Sequence, residues 1–355
     1  MNWYIRFYYL YRHFKMILVT GGTGLLGAHL LYELSLGGLP VRATYRTEGR
    51  LKITRRIFSY YSETPDQLFD RIEWCQADMT DPLSITKVMN GVDQVYHTAA
   101  SVSFDPSLKK SIIATNVKGT EAIVNQCLEQ GNIRLCFVSS TAALGDAPPG
   151  EMKNEGYIWK GRKSGSVYSL SKFKSEMEVW RGIAEGLNAV IVNPSVIIGP
   201  GDWKKGSPNI FLRIWKGMQF YANGITGYVD VMDVVKVMTA LMNSAIQGER
   251  FIISSENLTY REVFTAIAGA LHKHPPSIHA GRILTRFASR LDWLRSFLTG
   301  WERQLSREMA SASSEKVYFS NDKIIKQTGL HFKPVEQSIQ VTARIFLNDI
   351  KAGVI

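Results

Sequence analysis

The stretch Ile17–Gly27, ILVTGGTGLLG, decides the fold. ILVT is apolar and β-branched, as a buried strand requires, and the residues after it set Gly21, Gly24 and Gly27 in a GxxGxxG spacing. AHLLYELSLGG follows, with apolar residues at helical spacing and a closing glycine pair at Gly37 and Gly38. The expected order is strand, glycine turn, helix. A dinucleotide explains each part: the turn is tight, the backbone must approach a pyrophosphate, and the helix N-terminus offers unpaired amides to the anion. Gly21, Thr23, Gly24, Leu25, Leu26 and Gly27 are the residues expected to meet it.

Working outward, the same alternation continues. VRATYR (residues 41–46) and IEWCQADM read as strands, a helix begins near Asp81, and QVYHTAA reads as a buried strand. A helix from Asn116 to Glu129, the strand RLCFVSS, a helix carrying YSLSK (residues 168–172) and the strand AVIVNPSVI complete the series. Strands alternating with helices give an α/β fold, a Rossmann-type doubly wound parallel sheet whose ligands lie beyond the carboxyl ends of its strands. Past Pro200 the rhythm loosens, although YVDVMDVVKVMTALM reads as a strand turning into a helix and RFIISS as another strand. The expected division is an extension over 1–15, a dinucleotide-binding domain over 16–200, and a smaller, mixed substrate-binding region over 201–355. Residues from about 228 to 265 are expected to return to the main sheet.

The 355 residues carry 45% hydrophobic side chains, enough for a large core, and a formal charge of +11, which favours anionic partners without choosing among them. No apolar run reaches the roughly 18 residues of a membrane-spanning helix. Cys75, Cys127 and Cys136 form no CxxC pair and sit among apolar residues, which fits buried, reduced thiols in a cytoplasmic protein. MNWYIRFYYLYRHFK, the first fifteen residues, is aromatic and basic and stops just before Met16. An upstream start codon not normally used is favoured for it over a surface anchor.

The end of the second strand speaks to which nucleotide is bound. An NAD site of the usual kind places Asp or Glu there to hold the ribose hydroxyls; here stand Thr44, Tyr45 and Arg46. Arg46 suits a 2′-phosphate, so NADP(H) is favoured and NAD(H) left open. Asp78, beside Met79 after the third strand, is placed either to accept from the adenine amino group or to cap the following turn.

YSLSK is a weak motif alone, since roughly one YxxxK is expected by chance in a chain of this composition, and YRHFK at Tyr11–Lys15 is a second. With TGGTGLLG, QVYHTAA, NVKGT, VSSTAALG, YSLSK and VNPSVIIGPG in this order, however, the chain resembles the extended short-chain dehydrogenase/reductase superfamily. The match runs from about Lys15 to Gly201. The resemblance implies that Ser140 holds the substrate oxygen, Tyr168 is the general acid/base, Lys172 anchors the nicotinamide ribose, and Asn116 supports the catalytic region. It further implies that Ala99, Ala100, Pro194 and Ser195 line the cofactor. The physics agrees, because Tyr at i and Lys at i+4 share a helix face and a nearby ammonium favours phenolate.

Within the superfamily, dehydratases carry an Asp-Glu pair after the position of Ser140, where this chain has Thr141 and Ala142. VRATYR with VNPSVIIGP looks most like the dihydroflavonol reductase and cinnamoyl-CoA reductase branch, related to the 3β-hydroxysteroid dehydrogenases. The expected reaction is carbonyl reduction or alcohol oxidation on an apolar or alicyclic small molecule. The alternatives are a sugar epimerase retaining NAD and a non-catalytic NADP-binding regulator. Ser101, Val102, Ser103, Phe104, the stretch around Trp159 and the region from Trp203 to Tyr228 are expected to wall the substrate pocket. Asp230 and Asp233 read as helix-start caps rather than catalytic carboxylates. Arg282, Arg286 and Arg290 form an i, i+4, i+8 stripe that reads as a solvated face and leaves peripheral membrane contact open. No nucleic-acid partner is expected, and a homodimer is left open.

Overall fold

The computed structural model describes residues 16–102, 108–148, 150–159, 166–280 and 314–355. The N-terminal extension, Ser103, Phe104 and the Arg282, Arg286, Arg290 stripe lie outside the described residues.

In chain order the strands are β1 (Ile17–Thr20), β2 (Val41–Tyr45), β3 (Ile72–Gln76), β4 (Gln94–His97), β5 (Arg134–Val138), β6 (Asn188–Pro194), β7 (Val196–Ile198), β8 (Phe220–Tyr221), β9 (Ile225–Asp230), β10 (Glu249–Ile253), β11 (Glu256–Thr259) and β12 (Ile278–His279). Seven of them form one parallel sheet in the order β10-β6-β5-β4-β1-β2-β3. The chain runs from β1 outward through β2 to β3, then crosses back to lay β4 on the other side of β1. The crevice beyond β1 and β4 is thus the switch point at which such sheets bind ligands.

Helices cover both faces. They are α1 (Leu25–Leu36), α2 (Leu51–Ser59), α3 (Pro65–Phe69), α4 (Pro82–Met89), α5 (Lys109–Ile113), α6 (Gly119–Gln130), α7 (Val167–Ala184), α8 (Asn209–Trp215), α9 (Val231–Met242), α10 (Tyr260–Ala270), α11 (Asp322–Thr328) and α12 (Val335–Lys351). Strand alternation divides the core: Ile17, Val19, Cys136 and Val138 pack with α1 and α9, whereas Leu18, Leu135 and Phe137 pack with α4, α6 and α7. A further core joins α8, α10 and α12 around Phe211, Ile267 and Phe346.

Three details differ from the sequence reading. The helix expected from Asn116 begins earlier, at α5, and passes through a π-helical turn at Ala114–Lys118 that contains Asn116. AVIVNPSVI is two strands, because the Ser195 amide donates to the carbonyl of Ile253 at 3.0 Å and the chain then leaves the large sheet. β7 instead joins a three-stranded sheet, β11-β9-β7. Cys127 and Cys136 are buried, but Cys75 lies on the edge strand β3 and is only half-buried, correcting that part of the expectation. As read, Asp230 caps α9, accepting from the Met232 amide at 2.8 Å. No described helix is long and apolar enough to cross a membrane.

Candidate active site

The glycine turn owes its shape to close contact. Gly21 has φ +71°, and a Cβ there would lie 2.7 Å from the Ala99 Cα; a Cβ on Gly27 would lie 2.3 Å from the Gly21 carbonyl oxygen. The turn is thereby pressed against the chain leaving β4. Gly24 is the N-cap of α1 and no side chain caps the first turn of that helix, which leaves the amide end beside Leu25 and Leu26 without a side-chain partner. Thr23 lies beside this turn, and its carbonyl receives Arg50 Nη2 at 3.5 Å. The residues present therefore fit a dinucleotide pyrophosphate.

At the end of β2, Thr44 holds the turn through both its carbonyl, which accepts from the Gly22 amide at 3.0 Å, and its hydroxyl, which accepts from the Gly21 amide at 3.1 Å. Arg46, two residues on, is exposed, and no carboxylate stands between Val41 and Arg46. Asp78 Oδ1 accepts from the amide and the hydroxyl of Thr80, each at 2.8 Å, and these bonds hold its carboxyl below the usual range. Asp78 is thus a turn cap in this structure. Met79 is buried, with Gly119 closely packed against its backbone. Pro194 ends β6, and Ser195 turns its hydroxyl onto the Ile253 carbonyl at 3.3 Å.

Ser140, Tyr168 and Lys172 come together beyond the ends of β5 and β6. Tyr168 and Lys172 lie one turn apart on α7, which the Ser166 hydroxyl caps by accepting from the Ser169 amide at 3.0 Å. The Tyr168 side chain is hydrogen-bonded to Ser140; burial pushes its phenol up while that bond pulls it down. Lys172 is 4% exposed, and its ammonium donates to the Val138 carbonyl at 2.8 Å. Burial lowers its pKa to about 8, against an opposing pull from the Glu176 carboxylate.

Asn116 touches none of these three side chains through a described bond. Its Oδ1 accepts from the Ser101 amide at 2.7 Å, and its Nδ2 donates to the Ser101 carbonyl and to Ser171 Oγ, both at 3.0 Å. Ser171 in turn donates to the Tyr168 carbonyl at 2.8 Å. Asn116 is therefore a brace between the chain leaving β4, which carries Ala99, Ala100 and Ser101, and the helix of Tyr168.

Behind the site lies a second buried polar network, and none of it was read from the sequence. Thr120 donates to the Asn116 carbonyl at 2.7 Å, so it accepts from His97 Nε2 at 3.1 Å, which leaves Nδ1 to accept from the Thr20 hydroxyl at 2.6 Å. Burial pulls His97 down to about 3, so the ring is neutral. Glu176, fully buried on α7, accepts from Ser139 Oγ (2.6 Å) and Asn193 Nδ2 (2.8 Å) on one oxygen, and from Arg250 Nη1 (2.8 Å) and Trp180 Nε1 (3.3 Å) on the other. The available signals were Glu176 standing four residues after Lys172 and a charged Arg250 inside the strand RFII.

Trp159, expected near the substrate, packs against Phe173 at 4.9 Å between ring centres. Trp203, expected as a pocket wall, is instead 2% exposed, and its indole donates to Asp349 at 2.7 Å. Its ring meets Phe346 edge-on at 5.0 Å. The chain past Gly201 turns into the core of α8, α10 and α12, which corrects the wall assignment for Trp203.

The family model described as NAD dependent epimerase/dehydratase family matches residues 17–254. The chain is 31% identical over 248 residues to sterol demethylase protein B of Methylococcus capsulatus, covering 69% of this chain and 71% of that protein. It is 26% identical over 344 residues to a putative dihydroflavonol 4-reductase of Synechocystis, covering 93% and 94%, and 26% identical over 336 residues to cinnamoyl-CoA reductase 1 of Oryza sativa, covering 92% and 88%. Its fold is similar to that of the Thermus thermophilus UDP-glucose 4-epimerase in complex with NAD, at a TM-score of 0.70 and 20% identity, over 93% of this chain and 98% of that one. By these likenesses the chain belongs to the NAD-dependent epimerase/dehydratase family of extended short-chain dehydrogenases/reductases and is an oxidoreductase of that class.

Proposed function

We propose that the protein is an NADPH-dependent reductase of a ketone or aldehyde on an apolar or alicyclic small molecule, or runs the reverse oxidation. The observation that carries this reading is the meeting of Ser140, Tyr168 and Lys172 at the switch-point end of the sheet, with Arg46 where a ribose-binding carboxylate would stand. Residues 16–200 supply the nucleotide site and residues 201–355 the substrate side. Ser101 and the segment at Trp159 are assigned to the substrate wall.

The nicotinamide, when bound, supplies the hydride. Lys172 would anchor its ribose, the amide end of α1 would hold the pyrophosphate, and Arg46 would pair with the 2′-phosphate. Tyr168 gives its phenolic proton to the substrate oxygen as that oxygen gains charge. Ser140 donates a hydrogen bond to the same oxygen, and the Lys172 ammonium stabilises the phenolate left behind. Thr141 and Ala142 provide no acid or base for an elimination, which sets dehydration aside. The names of the relatives, dihydroflavonol 4-reductase and cinnamoyl-CoA reductase, support carbonyl reduction.

A screen of aromatic and alicyclic aldehydes and ketones, followed by NADPH absorbance and by identification of the alcohol, tests this. Stoichiometric alcohol formation is the expected result. Protein that ignores every carbonyl, retains NAD and interconverts a sugar nucleotide belongs with the epimerases instead.

A further inference from the structure

Tyr168, Lys172 and Glu176 occupy successive turns of one face of α7, yet only the first two have a role in the reaction proposed above. Glu176 is the odd member, a fully buried carboxylate whose bonds reach parts of the site that are distant in sequence. Through Ser139 it holds the end of β5. Through Asn193 it reaches Ser140, because the same Nδ2 donates to the Ser140 carbonyl at 3.0 Å. Through Arg250 it reaches the segment 155–158: Arg250 Nε donates to the Glu155 carbonyl at 2.8 Å and Nη2 to the Tyr157 carbonyl at 3.0 Å. That segment lies directly on the Ser140 loop. The Gly145 amide donates to the Tyr157 carbonyl at 3.1 Å, and a Cβ on Gly145 would lie 2.2 Å from the Ile158 carbonyl oxygen.

A carboxylate without water is retained only where it is paired and fully hydrogen-bonded, and removing one partner leaves the other charge uncompensated. Here the charge sits one helical turn from a buried ammonium. We propose that Glu176 is a positioning residue for the reaction: clamped by Arg250, its carboxylate fixes the Ser139–Ser140 bend to α7 and supplies the negative charge that keeps the Lys172 ammonium in place.

Among the described residues, the charged and titratable groups facing Lys172 are few. Glu176 and Tyr168 come from its own helix, Arg250 from β10 acts through Glu176, and His97 from β4 is neutral. The Glu155 carboxylate accepts from the Ile252 amide at 2.8 Å. From β5 comes the Phe137 ring, 5.6 Å from Nζ, which carries no charge. Removing the Glu176 charge therefore makes Lys172 lose its proton more readily. Removing Arg250 leaves Glu176 unbalanced beside Lys172 and does the opposite. A purely structural role does not produce opposite signs.

The inference rests on the nucleotide site proposed above, so its test reads cofactor binding and needs no substrate. NADPH affinity is titrated by fluorescence from pH 6 to 10 for the whole chain, for Glu176→Gln and for Arg250→Met, with Glu176→Asp and Arg250→Lys as charge-conserving controls. Affinity in the unaltered protein is expected to fall as Lys172 deprotonates. The midpoint of that fall should move to lower pH in Glu176→Gln and to higher pH in Arg250→Met, and stay near the original in both controls. Should Glu176→Gln not fold, the upward shift in Arg250→Met decides alone. Midpoints unmoved in folded variants, with only the melting temperature lowered, would overturn the positioning role and leave the function standing. Unaltered protein that binds neither NADPH nor NADH would overturn the function and this role together.

Discussion

The glycine turn and the Ser140–Tyr168–Lys172 cluster lie beside each other, yet they are built on opposite principles. The turn is fixed by local sterics: Gly21 and Gly27 leave no space for a side chain, and their constraints come from neighbours a few residues away or one strand over. The cluster is fixed by buried polar bonds gathered from across the chain, with Asn116, Glu176, Asn193 and Arg250 each contributing from a different element. A steric site is rigid for as long as its glycines remain. A polar site is only as stable as its least satisfied member.

This contrast orders what substitutions should do. The largest effect is expected for Tyr168→Phe, which removes the proton donor and should lower turnover by about 10²–10⁴-fold while NADPH affinity stays nearly unchanged. Steady-state rates alongside a binding titration check it, and unaltered turnover would remove Tyr168 from the mechanism. Next comes Gly27→Ala, whose methyl group would strike the Gly21 carbonyl. At an overpacking cost of about 1–3 kcal/mol, nucleotide affinity should fall roughly 10–100-fold and the melting temperature should drop. An alanine variant that binds normally would show that the turn is less tight than its contacts imply.

How well each region could be read from sequence follows the same division. ILVTGGTGLLG announces its strand, turn and helix because every constraint is local, and a parallel sheet covered on both faces follows from alternation. YSLSK likewise places Tyr168 and Lys172 on one face of a helix. The buried partners were not legible, since Glu176 and Arg250 stand 74 residues apart and Thr20 and His97 stand 77 apart. Such pairs exist only once β1 has been laid beside β4 and β10 has joined the sheet against α7. Trp203 was misplaced for a related reason: its partner Asp349 lies in α12, at the far end of the chain.

Smaller effects sharpen the comparison. Arg46→Ala should weaken NADPH roughly 10–100-fold, the value of one or two charge-assisted bonds, and leave NADH unchanged; parallel titrations of both nucleotides check it. Asn116→Ala removes the brace between Ser101 and Ser171 and should cost about 1–3 kcal/mol of stability, with turnover falling more than nucleotide affinity. Denaturant unfolding and steady-state kinetics separate the two consequences.

The smallest change has the opposite sign. Lys172 falls from its ordinary 10.5 to about 8 on burial, which corresponds to at most about 3 kcal/mol against folding. Below pH 8 both folded and unfolded chains carry the proton and the whole cost is present. Between 8 and 10.5 the folded protein sheds its proton first, so the cost fades, and above 10.5 it is gone. Lys172→Met should therefore be more stable by about 1–2 kcal/mol at neutral pH, with the gain disappearing in alkali. Thermal melts between pH 6 and 11 would reveal this, and a destabilised variant at pH 7 would contradict it.

The most direct test of the central claim is a titration of nucleotide-stripped protein with NADPH and NADH, together with identification of any nucleotide released when unstripped protein is denatured. The expected result is a clear preference for NADPH with an exchangeable cofactor. Tightly retained NAD, with no response to NADPH, would contradict the reductase and turn attention to an internal redox cycle of the epimerase type.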